Sequence, residues 1–122
     1  QPIPNSAALF PRALAGFVLL VTLALIVILA VRWYPLSDPY VQSVVSLEGH
    51  SEQGYRIFQI NCAGCHGAEG RGNVGPSLES VIHRRSQVGV IKQVIGGKTP
   101  PMPKFQPDPE TMADLLAYLK QL

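Results

Sequence analysis

Apolar positions follow two unlike patterns along this chain. From Ala13 to Val31 runs a stretch of 19 residues without a charge. As a helix it would rise about 28 Å at about 1.5 Å per residue, which matches a bilayer core. Arg12 and Arg32 bracket it, and Trp33 and Tyr34 follow at once, where amphipathic rings favour the headgroup level. A cleaved secretory signal is the competing reading. Signal h-regions hold about 7–15 residues behind a basic n-region, whereas this run is longer and Arg12 is the only charge before it. The pattern therefore predicts an uncleaved single-span anchor over 13–34, after an N-terminal tail, 1–12.

Past Tyr34 the pattern breaks. Residues 35–50 show no sustained period of 3.6 or 2, and Pro35, Asp38-Pro39 and Gly49 punctuate them. They read as a linker that could extend on the order of 50 Å. Val41, Val44, Val45 and Leu47 are the basis of an alternative, a short packed piece. Helical spacing returns at Ser51, placed to cap a first helix to about Asn61 with Glu52 in its favourable first turn. Val88 to Ile95 predicts a middle helix ended by Gly96-Gly97. Asp108-Pro109-Glu110 opens a last helix, with Asp as cap and Pro first, and Met112, Leu115, Leu116 and Leu119 form its buried stripe. Gly64 to Gly75, rich in glycine, reads as a loop. The expected fold class is all-α, with a small helical domain over 51–122.

Composition adds a constraint. With the anchor set aside, residues 46–122 hold 28 apolar residues in 77, which is thin for a domain this small. Domains below about 80 residues usually add disulfides, a metal, a cofactor or a partner to such a core. Two cysteines cannot make a dense disulfide scaffold, and 122 residues exclude a multidomain enzyme with its own nucleotide-binding sheet. Over 46–122, 8 basic residues face 7 acidic ones without a long run of either sign, so no nucleic-acid partner is expected.

The chemistry concentrates at Cys62-Ala63-Gly64-Cys65-His66. Two thiols three positions apart can add to the two vinyl groups of a haem, and the histidine after the second can set its imidazole against the iron. A dithiol redox pair and half of a zinc site are the alternatives. The first lacks the strand and helix context of a thioredoxin-like pair, and the second lacks further ligands. For a sixth iron ligand, Thr99-Pro100-Pro101-Met102-Pro103 presents a soft thioether on backbone that prolines hold extended. Met112 is the rival but sits in the helical stripe, and His50 and His83 would give a bis-histidine centre.

Cys62 to His66, then Gly75-Pro76-Ser77-Leu78, then Gly96-Gly97 leading to Met102-Pro103-Lys104-Phe105, then a terminal helix ending Leu116-Ala117-Tyr118-Leu119, resembles the class I cytochrome c family over roughly 51–122. The resemblance implies one covalently attached haem c, with His66 and Met102 as iron ligands and the Pro76 carbonyl bonded to the far nitrogen of His66. It also implies close crossing of the first and last helices near Gly54, Phe58 and Tyr118. The chain departs from many members in having its one tryptophan, Trp33, outside the domain, so Arg71, Arg84 and Arg85 become the candidates to meet the haem propionates.

The implied function is electron transfer rather than catalysis, at a fairly positive potential. Expected partners are membrane lipid through 13–34, and a quinol-oxidising complex, a terminal oxidase, a photosystem or small soluble electron carriers. The haem domain is expected in the periplasm or thylakoid lumen. Among anchored relatives the chain is similar in outline to cytochrome cM of cyanobacteria and to anchored cytochromes c of bacterial respiratory chains. A fixed haem subunit of a larger respiratory or photosynthetic complex is the second reading.

Overall fold

The computed structural model describes residues 6–34 and 38–122. The first five residues of the predicted tail, and residues 35–37 of the predicted linker, lie outside the described residues. The chain divides into two units, Gln1–Pro35 and Leu36–Leu122.

The first unit is helix α1, Ser6–Trp33. Within it, Pro11–Trp33 is long and apolar enough to cross a membrane, rising about 35 Å over its length. Its apolar side chains, from Leu14 to Trp33, are exposed on every face, so none is spent on a protein core. A helix apolar all round is suited to lipid rather than to one side of a globular domain. The hydroxyl of Thr22 donates to the Leu19 carbonyl at 2.8 Å, which satisfies the one polar side chain of the 13–31 run from within the helix.

The second unit is helical, and no strand occurs among the described residues. Its elements are α2 (Pro39–Ser46), α3 (Ser51–Asn61), α4 (Ala63–His66), α5 (Val81–Arg84), α6 (Gln87–Gly96) and α7 (Pro109–Leu119). The stripe of α7 is buried as its period requires, with Met112, Leu115, Leu116 and Leu119 in a core shared with Phe58, Val90, Ile91 and Val94. Asp108 caps α7, its carboxylate accepting from the Thr111 amide and hydroxyl at 3.0 and 2.7 Å. Those bonds hold the Asp108 carboxyl below its ordinary range, so the cap is complete at neutral pH and is lost as pH falls through that lowered value. Helix α6 ends on Gly97 in the left-handed conformation, as the glycine pair predicts.

Helices α3 and α7 cross with their backbones nearly touching. A β-carbon at Gly54 would overlap the Asp114 carbonyl and stand 2.8 Å from Tyr118 Cβ. One turn earlier the His50 amide donates to Asp114 Oδ1 at 2.7 Å. His50 rather than Ser51 is therefore the N-cap residue of α3, and its amide is satisfied across the crossing instead of by a local side chain. Tyr118 meets Tyr55 edge-on and Phe58 at a tilt, at centroid distances of 5.4 and 5.1 Å.

Within the segment expected as a linker, residues 39–46 form helix α2, so the alternative of a short packed piece describes them. Asp38 caps α2 by accepting from the Tyr40 amide at 3.0 Å, and Pro39 starts the helix. Val41 and Val44, three apart and so on one face, are 0 % and 1 % exposed. The Tyr40 hydroxyl donates to the Pro107 carbonyl at 2.9 Å, tying α2 to the approach of α7. Eight residues give too little length for a period to show, and Ser43 and Ser46 hide the helix from a composition reading by bonding back to Pro39 and Ser43 carbonyls. The folded domain thus begins before Ser51.

Two mutations test this packing by chemical denaturation. Gly54→Ala should cost about 2 kcal/mol or more by forcing α3 off α7, while Gly64→Ala, which meets nothing within 4 Å, should stay within about 0.5 kcal/mol of the parent. Val41→Ala should cost about 2 kcal/mol, an effect a free linker would not show.

Candidate haem site

The site is built at the end of α3. Cys62 closes α3 and opens α4. The amides of Cys65 and His66 both reach back to the Cys62 carbonyl, at 3.1 and 2.9 Å. Residues three and four apart on such a turn are neighbours, so the two thiols and the imidazole emerge together. Neither cysteine is in a disulfide; Cys62 is half-buried and Cys65 exposed. Burial, and then the neighbouring Cys65, push the Cys62 thiol up to about 11. A zinc site lacks its ligand set, since no group of three or more His, Cys, Asp and Glu converges among the described residues.

The glycine-rich loop folds back over α4. The Gly72 amide donates to the His66 carbonyl and the Gly75 amide to the Cys65 carbonyl, each at 2.7 Å. Gln59 on α3 ties the loop down through Nε2 to the Ala68 carbonyl at 2.7 Å. This path lays Gly75 flat against the imidazole: a β-carbon there would stand 2.8 Å from His66 Cε1 and 2.9 Å from Nδ1. The next residue, Pro76, places its carbonyl 2.8 Å from His66 Nδ1. A carbonyl only accepts, so Nδ1 carries the proton and Nε2 keeps its lone pair. His66 is 9 % exposed, held in a slot that any side chain at 75 would fill.

Met102 lies in the second loop, half-buried and packed against the core. Its amide donates to the Thr99 carbonyl at 2.9 Å, and the Phe105 amide to the Val94 carbonyl at 2.9 Å, which pins the loop to the end of α6. The rivals stand elsewhere. Met112 is fully buried in the α7 stripe. His50 is exposed beside Asp114, 3.5 Å from its carboxylate, and His83 is exposed on α5.

Of the arginines considered for haem propionates, Arg84 donates to the Ser77 and Glu79 carbonyls at 3.0 and 2.8 Å, and so braces the chain just after Pro76. Arg71 pairs with Glu69 and Glu79 at 3.3 and 3.7 Å on the exposed side of the loop. Arg85 is exposed. Sequence reasoning missed Gln93, whose Nε2 stands 3.6 Å from Met102 Sδ. Nothing in the spacing of a glutamine nine residues before a methionine signals that contact.

Two cysteines and an enclosed histidine with one nitrogen pinned form a donor set that fits a covalently held haem. The residues would bind it by thioether bonds at Cys62 and Cys65 and by His66 Nε2 at the iron.

Comparison with known proteins agrees. Residues 50–119 match the family described as cytochrome c oxidase, cbb3-type, subunit III. The chain is 51% identical over 109 residues to a "Cytochrome c-553-like" protein of Synechocystis, covering 89% of this chain and 100% of that one. Among solved structures it is similar to cytochrome cL from Hyphomicrobium denitrificans, with a TM-score of 0.51 and 28% identity, covering 67% of this chain and 50% of that one. This chain thus spans half the length of that cytochrome cL. Fold, attachment motif and relatives converge on one conclusion: the chain belongs to the cytochrome c family of electron carriers and takes covalently bound haem c.

Proposed function

We propose that this chain is a membrane-anchored c-type cytochrome that carries single electrons between membrane redox complexes, with His66 and Met102 as the two iron ligands. The observation that carries the His66 assignment is the 2.8 Å bond between His66 Nδ1 and the Pro76 carbonyl, which fixes the ring and makes Nε2 the stronger ligand. Haem c, when bound, supplies one-electron exchange. His66 Nε2 and Met102 Sδ would hold the iron and leave it closed to oxygen and substrate, and a thioether paired with an imidazole would favour the reduced state. Cys62 and Cys65 keep the group from leaving in either state.

Helix α1 anchors the domain in lipid through residues 13–34, and the domain works in the periplasm or thylakoid lumen. Support comes from a helix that is apolar on all faces. A domain anchored in this way meets partners in the same membrane at high effective concentration without a strongly charged docking face. Its donor would be a quinol-oxidising complex, and its acceptor a terminal oxidase, a photosystem or a small soluble carrier. A family described as an oxidase subunit favours a second reading: a fixed haem subunit of a larger respiratory or photosynthetic complex.

The oxidised full-length protein should show the weak long-wavelength band of sulfur bound to haem iron, and a potentiometric titration should give a clearly positive midpoint. Met102→Ala should abolish the band and lower the midpoint, whereas Met112→Leu should keep both at a cost below about 1.5 kcal/mol. A band that survives Met102→Ala removes the assignment. Deleting residues 1–34 separates the two readings. A carrier still reduces an oxidase in solution; a fixed subunit no longer assembles.

A further inference from the structure

We propose that Tyr40 is a positioning residue for the sixth ligand: from α2, its hydroxyl fastens the far end of the methionine loop and so holds Met102 in place against competing ligands. The inference rests on the reading of Met102 as an iron ligand.

The loop has little means of fastening itself. Between the Gly97 cap of α6 and the Asp108 cap of α7, Pro100, Pro101, Pro103 and Pro107 carry no amide proton. The amides of Met102 and Phe105 bond the carbonyls of Thr99 and Val94, each at 2.9 Å. Beyond Phe105, Gln106 and Pro107 take part in no backbone–backbone bond among the described residues. The stretch that returns the loop to α7 therefore depends on a side chain from elsewhere.

Tyr40 supplies it. Its hydroxyl stands 2.9 Å from the Pro107 carbonyl, across 67 residues of chain. A carbonyl only accepts, so the phenol donates. Burial, and then the charge of Asp108, raise the Tyr40 phenol above its ordinary range, so it keeps its proton at neutral pH. Tyr40 lies before residues 50–119, the part that matches the family, so this fastening comes from outside the matched domain.

Both ends of the bond are fixed. The Tyr40 amide is held by Asp38 at 3.0 Å, Val41 and Val44 bury the same helix, and the tyrosine itself packs against the core. On the other side, Pro107 is followed at once by Asp108, whose carboxylate is bonded to Thr111. The bond thus joins α2 to the start of α7 and closes the loop between Phe105 and that helix.

A competing ligand reaches the iron only when the loop lifts, so its apparent affinity is scaled by the fraction of molecules with the loop open. The bond from Tyr40 exists in the closed loop. Loss of one neutral hydrogen bond should raise the open fraction roughly two- to tenfold.

The test titrates the oxidised full-length holoprotein with imidazole and follows loss of the long-wavelength band. Tyr40→Phe keeps the ring and its packing and removes only the hydroxyl. Imidazole should displace Met102 from it at roughly two- to tenfold lower concentration than from the parent. Ser86→Ala is the control. It removes the cap that accepts the Gly89 amide at 3.1 Å, at the opposite end of α6 from the loop, and so lowers stability without touching the fastening. Imidazole affinity should not move in Ser86→Ala. If Tyr40→Phe does not fold, Tyr40→Leu carries the same test. Imidazole affinity unchanged in the Tyr40 variant, or raised equally in Ser86→Ala, overturns the role of Tyr40 alone, provided the band still disappears with Met102→Ala. A band indifferent to Met102→Ala overturns the ligand reading beneath it.

Discussion

The backbone contact between α3 and α7 is the constraint from which the haem domain is built. Gly54 lets α3 lie against the Asp114 carbonyl with no side chain between them. The His50 amide then bonds Asp114, and Tyr118 fits between Tyr55 and Phe58. With α3 held at that depth, its end at Cys62 is set over the core. Only then does the single turn of α4 deliver two thiols and an imidazole to one place. Apolar packing alone would tolerate a helix shifted by an ångström. A glycine against a carbonyl does not, because any outward movement loses contact along the whole crossing.

The thin core is supplemented from two sides. One is α2, which contributes Val41 and Val44 to the cluster around Phe58, Ile91 and Met112. The other is the haem group that the family carries, which takes the place of side chains a chain with so few apolar residues cannot provide. The two loops that serve the haem use backbone hydrogen bonds instead of burial. The first is closed by bonds from Gly72 and Gly75 back to α4, the second by the bond from Phe105 to Val94. Loops fixed in this way hold ligands firmly without apolar mass.

The sequence by itself determined the parts whose signals are local. The attachment motif, the apolar run of α1, the Asp108 cap and the α7 stripe are each written within one turn or one helix, where neighbouring residues decide the outcome. Met102 in a proline-rich loop and Met112 in the α7 stripe are likewise set apart by local pattern, and the first is half-buried while the second is fully buried. Three things were decided only by the tertiary structure. Whether Gly54 is tolerated or required depends on Asp114, sixty residues away. Whether Val41 and Val44 belong to a linker or a core depends on an α7 that eight residues of α2 cannot announce. And the pairing of Gln93 with Met102 exists because the second loop folds back onto the helix that precedes it. Each is a contact between segments far apart in the chain, and its energy lies in the meeting of the two rather than in the residues of either one.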